Sequence, residues 1–296
     1  MKQLLILSGK GGTGKTTIAS AFIRLAGAKA YADCDVDAPN LHLVMEQSRN
    51  PERTNYYGLP KAQIDGEACV KCGNCKDVCR FGAISSKGRS FQVDPFACEG
   101  CGVCAAFCPA GAISLKPAVA GEKILYAGTE EVFSTARLKM GSGTSGMLVT
   151  EVKKQMRAAA PQEAKLAIID GSPGIGCPVI ASLSGVDMVL IVAEPSISGI
   201  SDMTRIIKTA DMFHTKIGVC INKYDTSPAN SEKIKEFCRE RSIPLVGEIP
   251  FDPEAVKAIN SGKTIVDVAC VCGSAVKAVY QNTRELLFKE GEDLTP

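Results

Sequence analysis

At 296 residues the chain is long enough for one large core, or for one core plus a small module. Its 45% hydrophobic and 22% charged content is that of an ordinary soluble globular protein, and a net charge of +2 gives no reason to expect a nucleic-acid or anionic-membrane partner. No apolar run approaches the roughly 20 residues that span a bilayer. The expected compartment is therefore the cytoplasm, where thiols stay reduced and clustered cysteines read as metal ligands.

The first element is a short apolar strand, Gln3–Leu7, which runs straight into glycines and so reads as a strand rather than a signal peptide. Gly9-Lys10-Gly11-Gly12-Thr13-Gly14-Lys15-Thr16 follows and satisfies the phosphate-loop pattern G-x-x-x-x-G-K-(S/T). Glycines let backbone N–H groups approach phosphate oxygens, the Lys15 ammonium reaches the β- and γ-phosphates, and the Thr16 hydroxyl can ligate Mg²⁺. An amphipathic helix is expected over Lys15–Ala28, which gives the loop its strand–loop–helix setting.

From about residue 58 to residue 117 the rhythm changes. Eight of the 14 cysteines fall here, as Cys69-x2-Cys72-x2-Cys75-x3-Cys79 and Cys98-x2-Cys101-x2-Cys104-x3-Cys108-Pro109. Flanking residues repeat too: Gln63-Ile-Asp returns as Gln92-Val-Asp, and Gly82-Ala-Ile-Ser85 as Gly111-Ala-Ile-Ser114, each 29 residues on, as Cys98 is from Cys69. A repeat of this length is one supersecondary unit duplicated. The spacing supplies thiolates for two 4Fe–4S clusters, with the fourth cysteine of each run ligating the other cluster. One cluster then takes Cys69, Cys72, Cys75 and Cys108, and the other takes Cys98, Cys101, Cys104 and Cys79. Zinc in two four-thiolate sites is the alternative, but such sites usually pair two C-x2-C units.

Beyond residue 118, apolar runs at Lys165–Ile169, Met188–Ala193, Ile217–Ile221 and Ile243–Val246 alternate with helical patterns at Gly199–Phe213, Glu232–Arg241 and Ser274–Lys289. Strands alternating with helices imply an α/β fold, a mostly parallel sheet covered on both faces. Residues 1–57 and 118–296 would form that domain, interrupted by the cysteine-rich module at 58–117. The last helix carries an apolar stripe of Val276, Val279, Tyr280, Leu286 and Leu287 and ends in the acidic Glu290-Gly-Glu-Asp, so it is expected to pack on the sheet rather than hold a membrane.

The sequence KGGTGKT, with its extra Lys10, resembles the deviant Walker A box of the MinD/ParA and nitrogenase iron-protein class of ATPases. The likeness continues in Asp33-Cys-Asp35 (switch I), in Ala167-Ile-Ile-Asp170 with Gly171-Ser-Pro-Gly174 (Walker B and switch II), and in Asn222-Lys223-Tyr224-Asp225 (base recognition). It covers most of the chain outside the cysteine-rich insert, which itself resembles a bacterial two-cluster ferredoxin. The resemblance implies an ATP-dependent homodimer in which Lys10 reaches the partner's nucleotide. Thr16, Asp35 and Asp170 would form the Mg²⁺ site, and Asp35, or Asp33 as second candidate, would orient the attacking water. The nucleotide contacts would run from Gly9 through Thr17 and include Gly174, Asn222, Lys223 and Asp225.

Three roles are open at this level: ATP-gated electron transfer to a redox partner, assembly of a metallocofactor on a partner, and a positioning ATPase that senses redox state. Of the other thiols, Cys177 lies close after switch II, but no second cysteine precedes Walker B, so an intersubunit cluster is not expected. Cys220 and Cys238 read as small buried hydrophobes, and Cys270-x-Cys272 as core packing, with transient metal binding as the alternative. Arg80 stands where a ferredoxin run carries proline. It is either a plain surface residue or a charge that favours the reduced cluster. On the second reading Arg80→Pro lowers at least one cluster midpoint potential in a redox titration; two unchanged potentials leave the surface reading.

Overall fold

The structure is a computed structural model that describes residues 1–289 except Ser48 and Arg89, so the acidic stretch from Glu290 lies outside the described residues. The first part of the chain forms β1 (Lys2–Leu7), α1 (Lys15–Ala26), β2 (Ala30–Asp33), β3 (Glu52–Tyr57), β4 (Lys61–Ile64), α2 (Asn74–Asp77), β5 (Ile84–Lys87), β6 (Ser90–Val93), α3 (Val103–Ala106), β7 (Ile113–Lys116), β8 (Val119–Ala127) and β9 (Val132–Leu138). The rest forms α4 (Ser145–Ala159), β10 (Leu166–Asp170), α5 (Cys177–Leu183), β11 (Met188–Ala193), α6 (Ile197–Asp211), β12 (Lys216–Asn222), α7 (Pro228–Glu240), β13 (Leu245–Ile249), α8 (Pro253–Asn260) and α9 (Val271–Phe288).

Nine strands make one sheet in the order β13-β12-β11-β1-β10-β2-β9-β8-β3. The seven from β13 to β9 run parallel, and β8 and β3 close one edge antiparallel. Parallel strands are covered on both faces, which is why β11 (MVLIVA) is apolar and buried throughout. Along β1, side chains alternate between two cores. Leu5 and Leu7 join Val149, Val152, Ile206 and Ile234 on one face, while Leu4 and Ile6 join Ile18, Phe22, Val276 and Val279 on the other. The apolar stripe of α9 does pack on the sheet, and Tyr280 meets Phe22 edge to face at 5.1 Å.

The expected strands and helices are present with ends moved by at most four residues, but β3, β8, β9, α4, α5 and α8 have no counterpart in the sequence reading. β3 (ERTNYY) is an edge strand with five of six residues exposed, so it shows no apolar run. β9 (VFSTARL) hides its burial behind Ser134 and Thr135. Ser134 Oγ donates to the Val152 carbonyl at 2.7 Å and accepts from Gln155 Nε2 at 2.8 Å, so Ser134 is satisfied inside the core.

Between β3 and β8 the chain builds two small antiparallel pairs, β4–β7 and β5–β6. The 29-residue repeat is visible in the backbone: α2 answers α3, and positive φ recurs at Lys71 and Gly100, Gly73 and Gly102, Gly82 and Gly111. The pairing crosses the repeat, because β4 of the first copy bonds β7 of the second. The insert rests on the loop after β9: a Cβ on Gly141 would lie 3.3 Å from the Phe96 ring, and one on Gly143 would lie 3.7 Å from a Glu99 carboxylate oxygen. Among the described residues, no helix is long and apolar enough to cross a membrane.

Phe133 stacks between Tyr31 (5.1 Å) and Tyr126 (5.5 Å) and is fully buried, so it ties β2, β8 and β9 together. Phe133→Ala should lower unfolding free energy by about 3–5 kcal/mol in equilibrium denaturation; a loss below about 1 kcal/mol would show that the stack carries little of this edge.

Candidate nucleotide and cluster sites

The glycine loop lies at the carboxyl end of β1 and opens α1. Gly12 and Gly14 have φ of 79° and 92°, conformations that favour glycine, and nothing lies within 4 Å of where a Cβ would stand on Gly11 or Gly12. That open space is the close-approach surface a phosphate needs. Gly9 and Gly14 are glycines for a different reason, since a Cβ there would collide with Asp202 and Asn222 respectively. Thr13 is buried, and its Oγ1 has no hydrogen-bond partner, an orphan that a phosphate oxygen would satisfy.

At the centre is a buried ion pair. Lys15 Nζ lies 2.5 Å from Asp170 Oδ1, with the two residues 6% and 0% exposed, and Thr16 Oγ1 donates to Asp170 Oδ2 at 2.7 Å. Burial works to lower the Lys15 pKa, but Asp170, Asp33 and Asp35 outweigh it and hold the ammonium charged. A hydroxyl and a carboxylate side by side suit a hard cation that keeps part of its water shell, so Thr16 and Asp170 fit Mg²⁺. Thr17 lines the adjoining cavity.

Asp33 and Asp35 differ more than their spacing suggests. Asp33 is fully buried, and its carboxylate accepts from the N–H groups of Asp35 (3.0 Å), Asn40 (2.9 Å) and Leu41 (3.0 Å). Burial and the Asp170 charge push its pKa up to about 7. It fastens the backbone that follows β2, at Asp35, Asn40 and Leu41. Asp35 is half-buried; burial raises its pKa, while the Lys15 charge and the Ala38 N–H act to lower it.

Lys10 bonds within its own chain: Nζ pairs with Glu194 at 2.7 Å and donates to Ser196 Oγ at 3.2 Å. Burial works to raise the Glu194 pKa, yet Lys10 and Lys223 outweigh it and hold the carboxyl low. Glu194 was not singled out from sequence, although it is the first charged residue after the wholly apolar β11. Gly174, with φ of 97°, sends its N–H to the Ser8 carbonyl (3.1 Å) and sets switch II beside the phosphate loop.

Asn222, Lys223 and Asp225 do not act as one segment. Asn222 Nδ2 donates to the Thr13 carbonyl at 2.6 Å and Lys223 Nζ to the Gly12 carbonyl at 3.0 Å, so both brace the loop. Both also line a cavity with Gly14, Ile18, Phe251 and Asp252, the space where a base would lie. Asp225 lies outside that lining and accepts from the Phe251 N–H at 2.7 Å.

The eight repeat cysteines line two further cavities. One is bordered by Cys69, Cys72, Cys75 and Cys108, the other by Cys98, Cys101, Cys104 and Cys79. Backbone N–H groups of Ala112 and Ala62 reach Cys108 Sγ (3.3 Å) and Cys98 Sγ (3.5 Å), and Arg80 is exposed. Four thiolates on one zinc stand about 3.8 Å apart, given bonds of about 2.3 Å. Among the described residues, no three of these eight thiols gather within 4.8 Å of each other. Thiols set wider than one zinc allows suit a group in which each thiolate would bond a different iron.

Fold and loop together define an α/β P-loop nucleotide-binding protein. The chain belongs to the CobQ/CobB/MinD/ParA nucleotide-binding family, whose domain it matches over residues 4–265. It is 30% identical to an uncharacterised protein of Methanocaldococcus jannaschii over 96% of this chain and 97% of that one. It is 26% identical to the septum site-determining protein MinD of Neisseria meningitidis, over 98% and 95% of the two chains. Among solved structures it resembles MinD of Pyrococcus horikoshii complexed with Mg-ADP, with a TM-score of 0.58 and 17% identity over 97% of each chain.

The two switch aspartates separate by experiment. Asp35→Ala should cut ATP hydrolysis at least about a hundredfold with little change in stability. Asp33→Ala strands three backbone donors and should cost about 2 kcal/mol or more in denaturation. Equal stability losses in the two variants would contradict this division.

Proposed function

We propose that this protein is a Mg²⁺-dependent ATPase whose ATP-driven dimerisation and hydrolysis gate electron transfer from two 4Fe–4S clusters to a partner protein. In this reading Cys69, Cys72, Cys75 and Cys108 hold one cluster, and Cys98, Cys101, Cys104 and Cys79 hold the other. The clusters supply one-electron chemistry, and the chain supplies thiolates, N–H donors to sulfur and the contacts that link them to the nucleotide site.

The observation that carries the coupling is a continuous run of contacts from Walker B to the insert. The Cys34 N–H donates to the Asp170 carbonyl (2.8 Å), and Ser172 Oγ donates to the Cys34 carbonyl. Two residues on, the Val36 carbonyl accepts from the Leu138 N–H (2.8 Å), at the end of β9. The next loop, Lys139–Thr144, carries Gly141 and Gly143 against Phe96 and Glu99, beside Cys98. Its far end starts α4, where a Cβ on Gly146 would lie 3.0 Å from the carbonyl of Cys177, just after switch II. Both switches therefore bear on the segment that supports the second cysteine run. Coupling through such a run requires an element whose equilibrium both sites bias, and the 139–144 loop is that element here.

Lys10 has its own part. With 36% of its side chain exposed, it can exchange Glu194 for a γ-phosphate across a dimer, where a preorganised ammonium stabilises transferred charge. A second reading, cluster or metallocofactor assembly, draws on one observation: Cys72 and Cys101 are exposed, so a cluster held there is open to ligand exchange.

With anaerobic, cluster-loaded protein and a candidate acceptor, the first reading predicts electron delivery that requires hydrolysis and leaves bound iron unchanged. Iron moving to the acceptor without net electron flow would replace it with the assembly reading. Lys10→Ala should abolish ATP-dependent dimerisation in sedimentation while nucleotide binding persists; unchanged dimerisation would remove the trans role of Lys10.

A further inference from the structure

We propose that Asp252, Cys270 and Cys272 form a binding site for a thiophilic divalent cation, zinc by fit, in the wall of the base-side cavity. From sequence the two cysteines read as core packing. The structure turns their sulfurs toward each other at 3.4 Å and brings the Asp252 carboxylate to them, so that three ligand atoms lie within 4.8 Å of one another. Among the described residues this is the one such group. Two thiolates on a tetrahedral zinc stand about 3.8 Å apart, so the site needs only a small adjustment to close on the ion.

Backbone N–H groups reach two of the three ligands, while the Cys270 thiol donates to the Ile265 carbonyl at 3.3 Å, a proton that a bound ion would displace. Cys270 caps α9, and its Sγ accepts from the Gly273 N–H at 3.3 Å. Asp252 caps α8: Oδ1 accepts from the Glu254 N–H at 3.0 Å, and Oδ2 from the Cys272 N–H at 3.3 Å. Such N–H donors fix ligand orientation in the way outer-shell partners do at metal sites. Gly273 has no room for a side chain, which would meet the Ile265 carbonyl and, at 3.0 Å, Cys270 Sγ. No Lys, Arg or His forms a salt bridge with Asp252 among the described residues; the nearby Lys257 pairs with Glu254, and Arg24 with Asp267.

The donor set selects the ion. Two thiolates disfavour Mg²⁺ and Ca²⁺, while two sulfurs and one carboxylate suit Zn²⁺ and leave a fourth position. Asp252 and Cys272 both line the cavity that also holds Gly14 and Asn222. An ion held there would tie the start of α8 to the start of α9 in the wall of that cavity. This site stands whether or not the cluster reading holds, because it uses none of the eight repeat cysteines.

The test uses full-length protein, reduced and loaded with iron and sulfide so that the repeat cysteines are occupied, titrated with Zn²⁺ against a chromophoric chelator. Wild type should retain one zinc per chain that the Cys270→Ser/Cys272→Ser protein lacks, at equal iron content. Cadmium in place of zinc should give one NMR resonance typical of mixed sulfur and oxygen ligation. If the double variant does not fold, Asp252→Asn should weaken zinc at least about tenfold. Equal zinc uptake by wild type and variants overturns the proposal. So does a Cys270–Cys272 disulfide in mass spectra of the protein as isolated, with no zinc uptake after its reduction.

Discussion

Lys15 and Asp170 bury opposite charges against each other at the carboxyl end of the central strands, and neither is tolerated alone. Removing one member of such a pair costs about 3–5 kcal/mol because the other is left as a bare buried charge. The surroundings add to the constraint: Asp33 and Asp35 stand close enough to act on Lys15, so three carboxylates surround one ammonium. Excess negative charge with a hydroxyl at hand is a place for Mg²⁺, while open glycines and an orphan Thr13 hydroxyl await phosphate. On the proposed function, the ion pair is the arrangement that nucleotide and cation would meet.

That rearrangement has a short way to travel. Strand β10 delivers Asp170, its backbone carbonyl holds Cys34, and the chain beyond Cys34 is bonded to the end of β9. The insert leaves the sheet between β3 and β8, and Tyr56 of β3 reaches the Thr144 carbonyl at 3.4 Å, on the same loop that meets Phe96 and Glu99. Entrance, exit and support of the cysteine-rich segment therefore lie on elements adjoining the switches. Its crossed strands make the two repeat halves one unit, and each of the two cavities is lined by cysteines of both runs.

Much of this was legible in the sequence because it depends on local pattern. Continuous apolar runs mark β1, β11 and β12, the loop motif places Lys15 and Thr16, and regular cysteine spacing announces the repeat. The features that escaped are long-range exchanges of polar groups. Ser134 and Gln155 look like surface residues until each satisfies the other inside the core. Asn222 also braces the phosphate loop, and Asp225 also holds the Phe251 backbone, contacts that their place in the sequence does not announce. Asp33 and Asp35 are two residues apart with the same chemistry, and only the fold shows that Asp33 is spent on three N–H groups. Asp252 lies 20 residues from Cys272, a separation across which no spacing rule connects a carboxylate to a thiol.

The central claim is that nucleotide state acts on the clusters. Its most direct test is a redox titration of cluster-loaded protein, followed by electron paramagnetic resonance, without nucleotide and with MgATP held unhydrolysed by Asp35→Ala. The account predicts that MgATP shifts the midpoint potential or line shape of at least the cluster at Cys98, Cys101, Cys104 and Cys79. Identical potentials and spectra in both states would contradict it.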